Sequence, residues 1–184
     1  MSDPATLWHA EHANLARLLD ILEKEMAAFN AGEQPNYDLL LDVVHYLQHY
    51  PDQVHHPKED VAFARLVKRD PRMKPQIDRL TQEHRVIGIA GGVLLKHLEE
   101  VLAGTVEPRS VVEAAAATYL AYYRGHLAAE DREVVPRAAE LLTAADWAAV
   151  AKAVPARPDP LLGEHVESHY RKLRRHIELE SQSD

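Results

Sequence analysis

The chain has 184 residues, of which 46% are hydrophobic and 27% charged, and its net charge is −8. That length and balance suit a folded domain with a real core and exclude a disordered chain, and the acidic excess leaves no electrostatic footprint for nucleic acid. Cysteine is absent, which excludes disulfides, thiolate metal sites and cysteine nucleophiles, whereas histidine occurs 12 times and is the commonest metal-ligating side chain.

The chain opens Met-Ser-Asp-Pro with no apolar leader, and no apolar run approaches the roughly 20 residues of a membrane span. A cytoplasmic protein with no membrane partner is expected. Apolar residues recur at helical spacing throughout. The first helix is expected from about residue 3 to residue 31, with the stripe Trp8, His12, Leu15, Leu19, Leu22, Met26 and Phe29, and a stop at Gly32. A second runs from about residue 36 to residue 68 through Leu40, Val44, Leu47, Pro51, His55, Glu59, Ala62 and Leu66, with a kink at Pro51. Asp70-Pro71 opens a third helix carrying Ile77, Leu80, His84, Ile87, Gly91, Leu94, Leu98 and Leu102, stopping at Gly104. Pro108 opens a fourth, with Val112, Ala115, Tyr119, Tyr122, His126 and Glu130 on one face and a kink or end at Pro136.

Short connections between four long helices predict an all-α, antiparallel up-down four-helix bundle over residues 1–140. Residues 141–184 read as a helical extension, with a short capped helix from Thr143 to Val154, a proline-rich linker over 155–160 and a last helix over 164–180. The extension is expected on the outside of the bundle or at a homodimer interface. The basic run Arg171-Lys172-Leu173-Arg174-Arg175 lies among glutamates and reads as a solvated helix face.

Each apolar stripe contains polar residues out of place: His12, then His55 and Glu59, then His84, then His126 and Glu130. The His-x-x-x-Glu pairs put both side chains on one helix face, and buried carboxylates are costly unless paired or bound to metal. The set also repeats. Glu11-His12 recurs 72 residues later as Glu83-His84, and His55 to Glu59 recurs 71 residues later as His126 to Glu130, each pair followed by aspartate (Asp60, Asp131). Two helical hairpins about a pseudo-two-fold axis would bring four imidazoles and two carboxylates around one dinuclear metal site. The other eight histidines have no counterpart at the offset. His45, His49 and His56 are expected on an exposed polar face, as are His165 and His169.

Over roughly residues 5–140, Glu11-His12, the run from Tyr50 to Glu59, Glu83-His84-Arg85 and His126 to Glu130 together resemble the hemerythrin-like, or HHE cation-binding, domains. The resemblance implies a four-helix bundle around an oxo- or hydroxo-bridged di-iron centre with bridging carboxylates. Imidazole and carboxylate ligands admit other first-row metals, so mixed Fe/Mn or Fe/Zn occupancy is the alternative to two irons. Oxygen-carrying hemerythrins place two histidines one turn apart on the third helix, whereas here Gly88 stands four residues after His84. The five-histidine carrier site is therefore not expected. A four-histidine site looks more like the di-iron proteins linked to nitrosative stress and iron-cluster repair, or the peroxide-active hemerythrin-like proteins.

The expected function is a non-haem di-iron protein that binds or responds to O₂, NO or peroxide. An oxidoreductase consuming peroxide or NO, and iron storage or delivery, are the alternatives. Gly88 is expected to leave room for the small ligand on one iron, and Tyr119 and Tyr122 to face the core near the metals, with Tyr123 turned partly away.

Overall fold

Several helix ends follow their sequence signals, but the last helix, expected from residue 164, begins only at Arg171 after a 3₁₀ turn at Ser168–Tyr170. The computed structural model describes residues 4–106 and 108–180, and the expected helix start at residue 3 lies outside them, as do residues 181–184 of the expected extension. The described residues form α1 (Pro4–Asn30), α2 (Tyr37–Tyr50), α3 (His56–Arg69), α4 (Lys74–Leu102), α5 (Arg109–Ala129), α6 (Val135–Leu141), α7 (Ala144–Ala153) and α8 (Arg171–Glu180), with no strand among them. The Asn36 side chain accepts from Leu39 N and caps α2. Asp70 accepts from Arg72 N and starts a 3₁₀ turn, Pro71–Met73, which leads into α4. α1 and α4 end alike. Gly32 and Gly104 adopt φ of 80° and 78°, and each follows a carbonyl pair that closes the last turn: Glu33 N donates to Ala28 O and Gly32 N to Phe29 O, Thr105 N to Glu100 O and Gly104 N to Val101 O. Only glycine adopts this left-handed conformation freely. The two glycines stand at the same 72-residue offset as His12 and His84.

The second and fourth long helices are each interrupted by a π-helical turn. One spans Pro51–His55 between α2 and α3; the other spans Glu130–Val134 between α5 and α6. Pro51 has no N–H to give the preceding turn, and His56 N donates back to Pro51 O, five residues away. Val135 N donates to Glu130 O in the same way. At Pro51, where a kink is expected, the helix carries this widened turn. Such single π-turns insert one residue into the helical phase and occur frequently at functional sites.

The four rods α1, α2 with α3, α4, and α5 with α6 bury two apolar clusters. The larger includes Leu19, Leu22, Leu40, Leu47, Ile87, Leu94, Val112 and Tyr119. The smaller includes Trp8, Phe63, Leu66, Leu80, Val134 and Ala138. Each fully buried Leu or Phe side chain contributes roughly 1.5–3 kcal/mol of transfer free energy. Between the clusters lies a layer of buried polar side chains, which those apolar layers must stabilise.

The carboxy-terminal segment lies against the rods. Thr143 and Asp146 form a reciprocal cap on α7, and Arg69 Nη2 donates to Asp146 Oδ2 at 2.8 Å, tying α7 to α3. Trp147 meets Trp8 edge to face at 6.0 Å. Further on, Tyr46 donates to Asp159 Oδ2 at 2.9 Å, Tyr170 pairs with His45 Nδ1 at 2.7 Å, and Leu161, Leu173 and Ile177 are buried in the larger cluster.

Candidate metal centre

The structure brings all six expected residues together. His12, His55, Glu59, His84, His126 and Glu130 are each at most 8% exposed and form the polar layer. A seventh joins them. His56, expected on an exposed face, is 4% exposed, and its ring stacks on His84 at 4.3 Å. The cause is the π-turn ending at His55, whose extra residue rotates both His55 and His56 inward. A strict 3.6-residue count cannot register it. The adjacent His55-His56 pair was the only available signal.

Each histidine is held from behind by a carboxylate. His55 Nδ1 donates to Glu11 Oε2 at 2.7 Å, and His12 Nδ1 to Asp131 Oδ1 at 2.7 Å. His84 Nδ1 donates to Asp60 Oδ1 at 3.1 Å, and His126 Nδ1 to Glu83 Oε2 at 3.1 Å. His56 Nδ1 lies 2.9 Å from Asp52 Oδ1. A carboxylate accepts only, so these contacts put a proton on Nδ1 and turn Nε2 inward, as metal-ligating histidines require. Glu11, Asp60, Glu83 and Asp131 all belong to the repeated motifs.

The Nε2 atoms converge on two carboxylates. Glu59 Oε1 is 3.0 Å from His12 Nε2 and 2.9 Å from His55 Nε2, and it also accepts from the Trp8 indole. Glu59 Oε2 is 3.3 Å from His84 Nε2. Glu130 Oε1 lies 3.2 Å from His126 Nε2 and 3.7 Å from His84 Nε2, while its Oε2 is 3.4 Å from His12 Nε2. Each carboxylate therefore presents one oxygen to each half of the site. The ligand atoms fall into two sets, His12–His55–Glu59 and His56–Glu59–His84–His126, each within 4.8 Å.

Those atoms carry the test of fit. Nε2 of His55, His56, His84 and His126, Glu59 Oε2 and both oxygens of Glu130 are buried without a hydrogen bond. Leaving such groups unpaired costs about 1–3 kcal/mol each, more when charged. Nitrogen and carboxylate donors in this arrangement suit two divalent or trivalent first-row cations, so the residues fit a dinuclear metal group.

Without metal, protons take its place. Burial works against charge on His12, His55 and His84, but facing carboxylates outweigh it. For His12 they are Asp131, Glu59 and Glu130, and its imidazole is raised to about 10. His55 is raised to about 9 by Glu59 and Glu11, and His84 to about 11 by Asp60, Glu130 and Glu59. Burial also opposes the ionised forms of Glu59 and Glu130, yet the surrounding histidines hold both below the usual carboxylate range. On His56 burial prevails over Asp52 and the pKa falls, which favours the neutral form a ligand needs.

One expectation around the site changes. Tyr122 is 47% exposed, whereas Tyr119 and Tyr123 are fully buried. The buried face of α5 runs Val112, Ala116, Tyr119, Tyr123, His126 and Glu130, whereas the expected stripe took Ala115 and Tyr122, each one residue early. Tyr123 packs 6.0 Å from the His56 ring, and its hydroxyl is buried without a partner. Gly88 lies beside Asp52. A Cβ there would meet Asp52 Oδ2 at 3.5 Å, an ordinary contact with the carboxylate that orients His56. Gly91 has a packing role: its Cβ would come within 2.1 Å of Gln48 Nε2 and 2.8 Å of Tyr119.

Comparison with known families fits this geometry. The family model described as Hemerythrin HHE cation binding domain matches residues 3–138. The chain belongs to that family, and its buried His/Glu cluster marks it as a metal-binding member. Comparisons with curated proteins and with solved structures returned no match. No helix among the described residues is long and apolar enough to cross a membrane.

Proposed function

We propose that the chain is a non-haem di-iron protein with an unequal pair of metal positions, and that it binds or responds to O₂, NO or peroxide. The observation that carries this reading is the set of buried, unpaired Nε2 and carboxylate atoms facing one another between four rods. His12 and His55 would hold one ion and His56, His84 and His126 the other, with Glu59 and Glu130 bridging. Iron in those positions would supply one-electron redox chemistry and a place for a small oxidising ligand. The chain's own residues do the rest. The five carboxylates behind the histidines keep the rings oriented, the two apolar clusters exclude water, and the Trp8 indole donates to Glu59.

Five imidazoles arranged three and two match the ligand count of an oxygen carrier, although the fifth comes from the start of α3, just after the π-turn, and not from the third long helix. This favours reversible ligand binding over the four-histidine pattern expected from the sequence. Peroxide or NO turnover is the second reading, favoured by Tyr123, whose ring lies 6.0 Å from that of His56 and whose buried hydroxyl has no partner, leaving it free to move a proton or an electron.

Metal analysis with an absorption spectrum of the purified protein tests the core of the proposal. Two irons per chain and oxo-bridge bands are expected; zinc alone or no metal would sink it. Stopped-flow addition of hydrogen peroxide with oxygen detection separates the readings. Sustained turnover lost in Tyr123→Phe, with iron retained, supports the enzyme. A single stoichiometric spectral change supports the binding protein.

A further inference from the structure

The two halves of the site differ in what lies outside them. On the His12–His55 side, a cavity of about 270 Å³ runs between α1, α3 and α7 and has His55 and Glu59 in its lining. Its walls are apolar: Leu7 and Trp8 from α1, Ala62 from α3, and Trp147, Val150 and Val154 from α7 and its end. Glu11 and Lys58 also line it, 3.8 Å apart. The α7 wall lies beyond residues 3–138, the part matched by the family. His55 and Glu59, both candidate ligands, are the polar side chains at its inner end, so the cavity is an apolar chamber with one polar end.

We infer that this cavity is a binding site for a small, neutral, mostly apolar organic molecule carrying one hydroxyl or carbonyl group, with that group directed to the His55–Glu59 end. The size argues for an organic occupant. A dry apolar cavity of about 150 Å³ is enough for benzene, so this volume accommodates a fused bicyclic ring and far exceeds what a diatomic molecule needs. The lining argues for its neutrality, since its two charges, Glu11 and Lys58, already face each other and a further charge among indole, leucine and valine side chains would be desolvated. The polar end argues for the single polar group. The apolar cavity does not depend on metal; only the approach of the polar group to a metal position rests on the di-iron reading.

1-Naphthol is the probe, with naphthalene as its counterpart lacking the hydroxyl. Calorimetric titration of the full chain, metal-free and metal-loaded, measures affinity. Near-ultraviolet circular dichroism of tryptophan reports location, because both tryptophans of the chain line the cavity. Saturable one-site binding is expected in both forms, with a changed tryptophan signal and, in the loaded protein, a changed metal absorption that naphthalene does not cause. Ala151→Phe, at an exposed position on α7 that also lines the cavity, should weaken binding by about tenfold or more by occupying the space. Val154→Trp at the end of the same wall is the second test should the first variant fold poorly. No saturable binding, or undiminished binding in both filled variants, overturns the site. A metal spectrum unmoved at saturation overturns the link to the centre. Iron absent with probe binding intact counts against the di-iron reading alone.

Discussion

Asp52 Oδ1 lies 2.9 Å from His56 Nδ1, one turn away across the junction of the π-turn and α3. This contact breaks the two-fold symmetry of the site, because the second half has no π-turn before its His-Glu pair. It sends a third imidazole to the His84–His126 side only. On the proposed di-iron reading, replacing His56 with Leu should leave two irons bound but make their environments more alike. Mössbauer spectra of the native protein should show two unequal quadrupole doublets that converge in the variant. Identical spectra for the two proteins would remove His56 from the ligand set.

The other orienting carboxylates can be tested in the same currency of metal affinity. Asp131→Asn keeps the shape but weakens the acceptor for His12, and Glu11→Gln does the same for His55. Losses of such partners typically cost about 10–100-fold in metal affinity. Chelator competition should find each variant within that range, with the double variant worse than either. Wild-type affinity in both would mean that the histidines are held by packing alone.

The glycines of the long helices should respond in opposite directions. Gly91→Ala forces Gln48 and Tyr119 to move and should destabilise the fold by about 1–3 kcal/mol. Gly125 sits inside α5 with nothing within 4 Å of a Cβ, so Gly125→Ala should stabilise by about 0.5–1 kcal/mol. Urea midpoints measure both, and a shift of the same sign would refute the packing argument.

Acid stability should depend on Asp70. Arg72 and Arg137 donate to its carboxylate and hold its pKa well below the usual range. A depressed folded-state pKa stabilises at pH above the unfolded value near 4, and that contribution is lost as pH falls through the folded value. Asp70→Asn should therefore lower the melting temperature at neutral pH and flatten the acid limb of its pH profile. An unchanged slope between native and variant would exclude Asp70 as a source of that limb.

Much of this was legible because the ligand residues interrupt apolar stripes at a fixed offset. His12, Leu15 and Leu19 share one face whatever the rest of the chain does, so the polar residue betrays itself. His56 was not legible, since the π-turn alters the phase it was counted in. Tyr122 and Tyr123 were exchanged for a related reason: both are one turn from a buried residue, and only the packing of α5 against its neighbours decides between them. The cavity beside Trp8 was out of reach altogether, because it depends on α7 being pinned to α3 through Arg69 and Asp146, a contact between residues 77 positions apart.

The carboxylates behind the histidines form a closed circuit. The first rod's Glu11 holds the second rod's His55, the second's Asp60 holds the third's His84, the third's Glu83 holds the fourth's His126, and the fourth's Asp131 returns to the first's His12. Every rod gives one acceptor and receives one. Such a ring needs four rods but only two kinds of rod, so two copies of a single hairpin would close it as completely as one continuous chain.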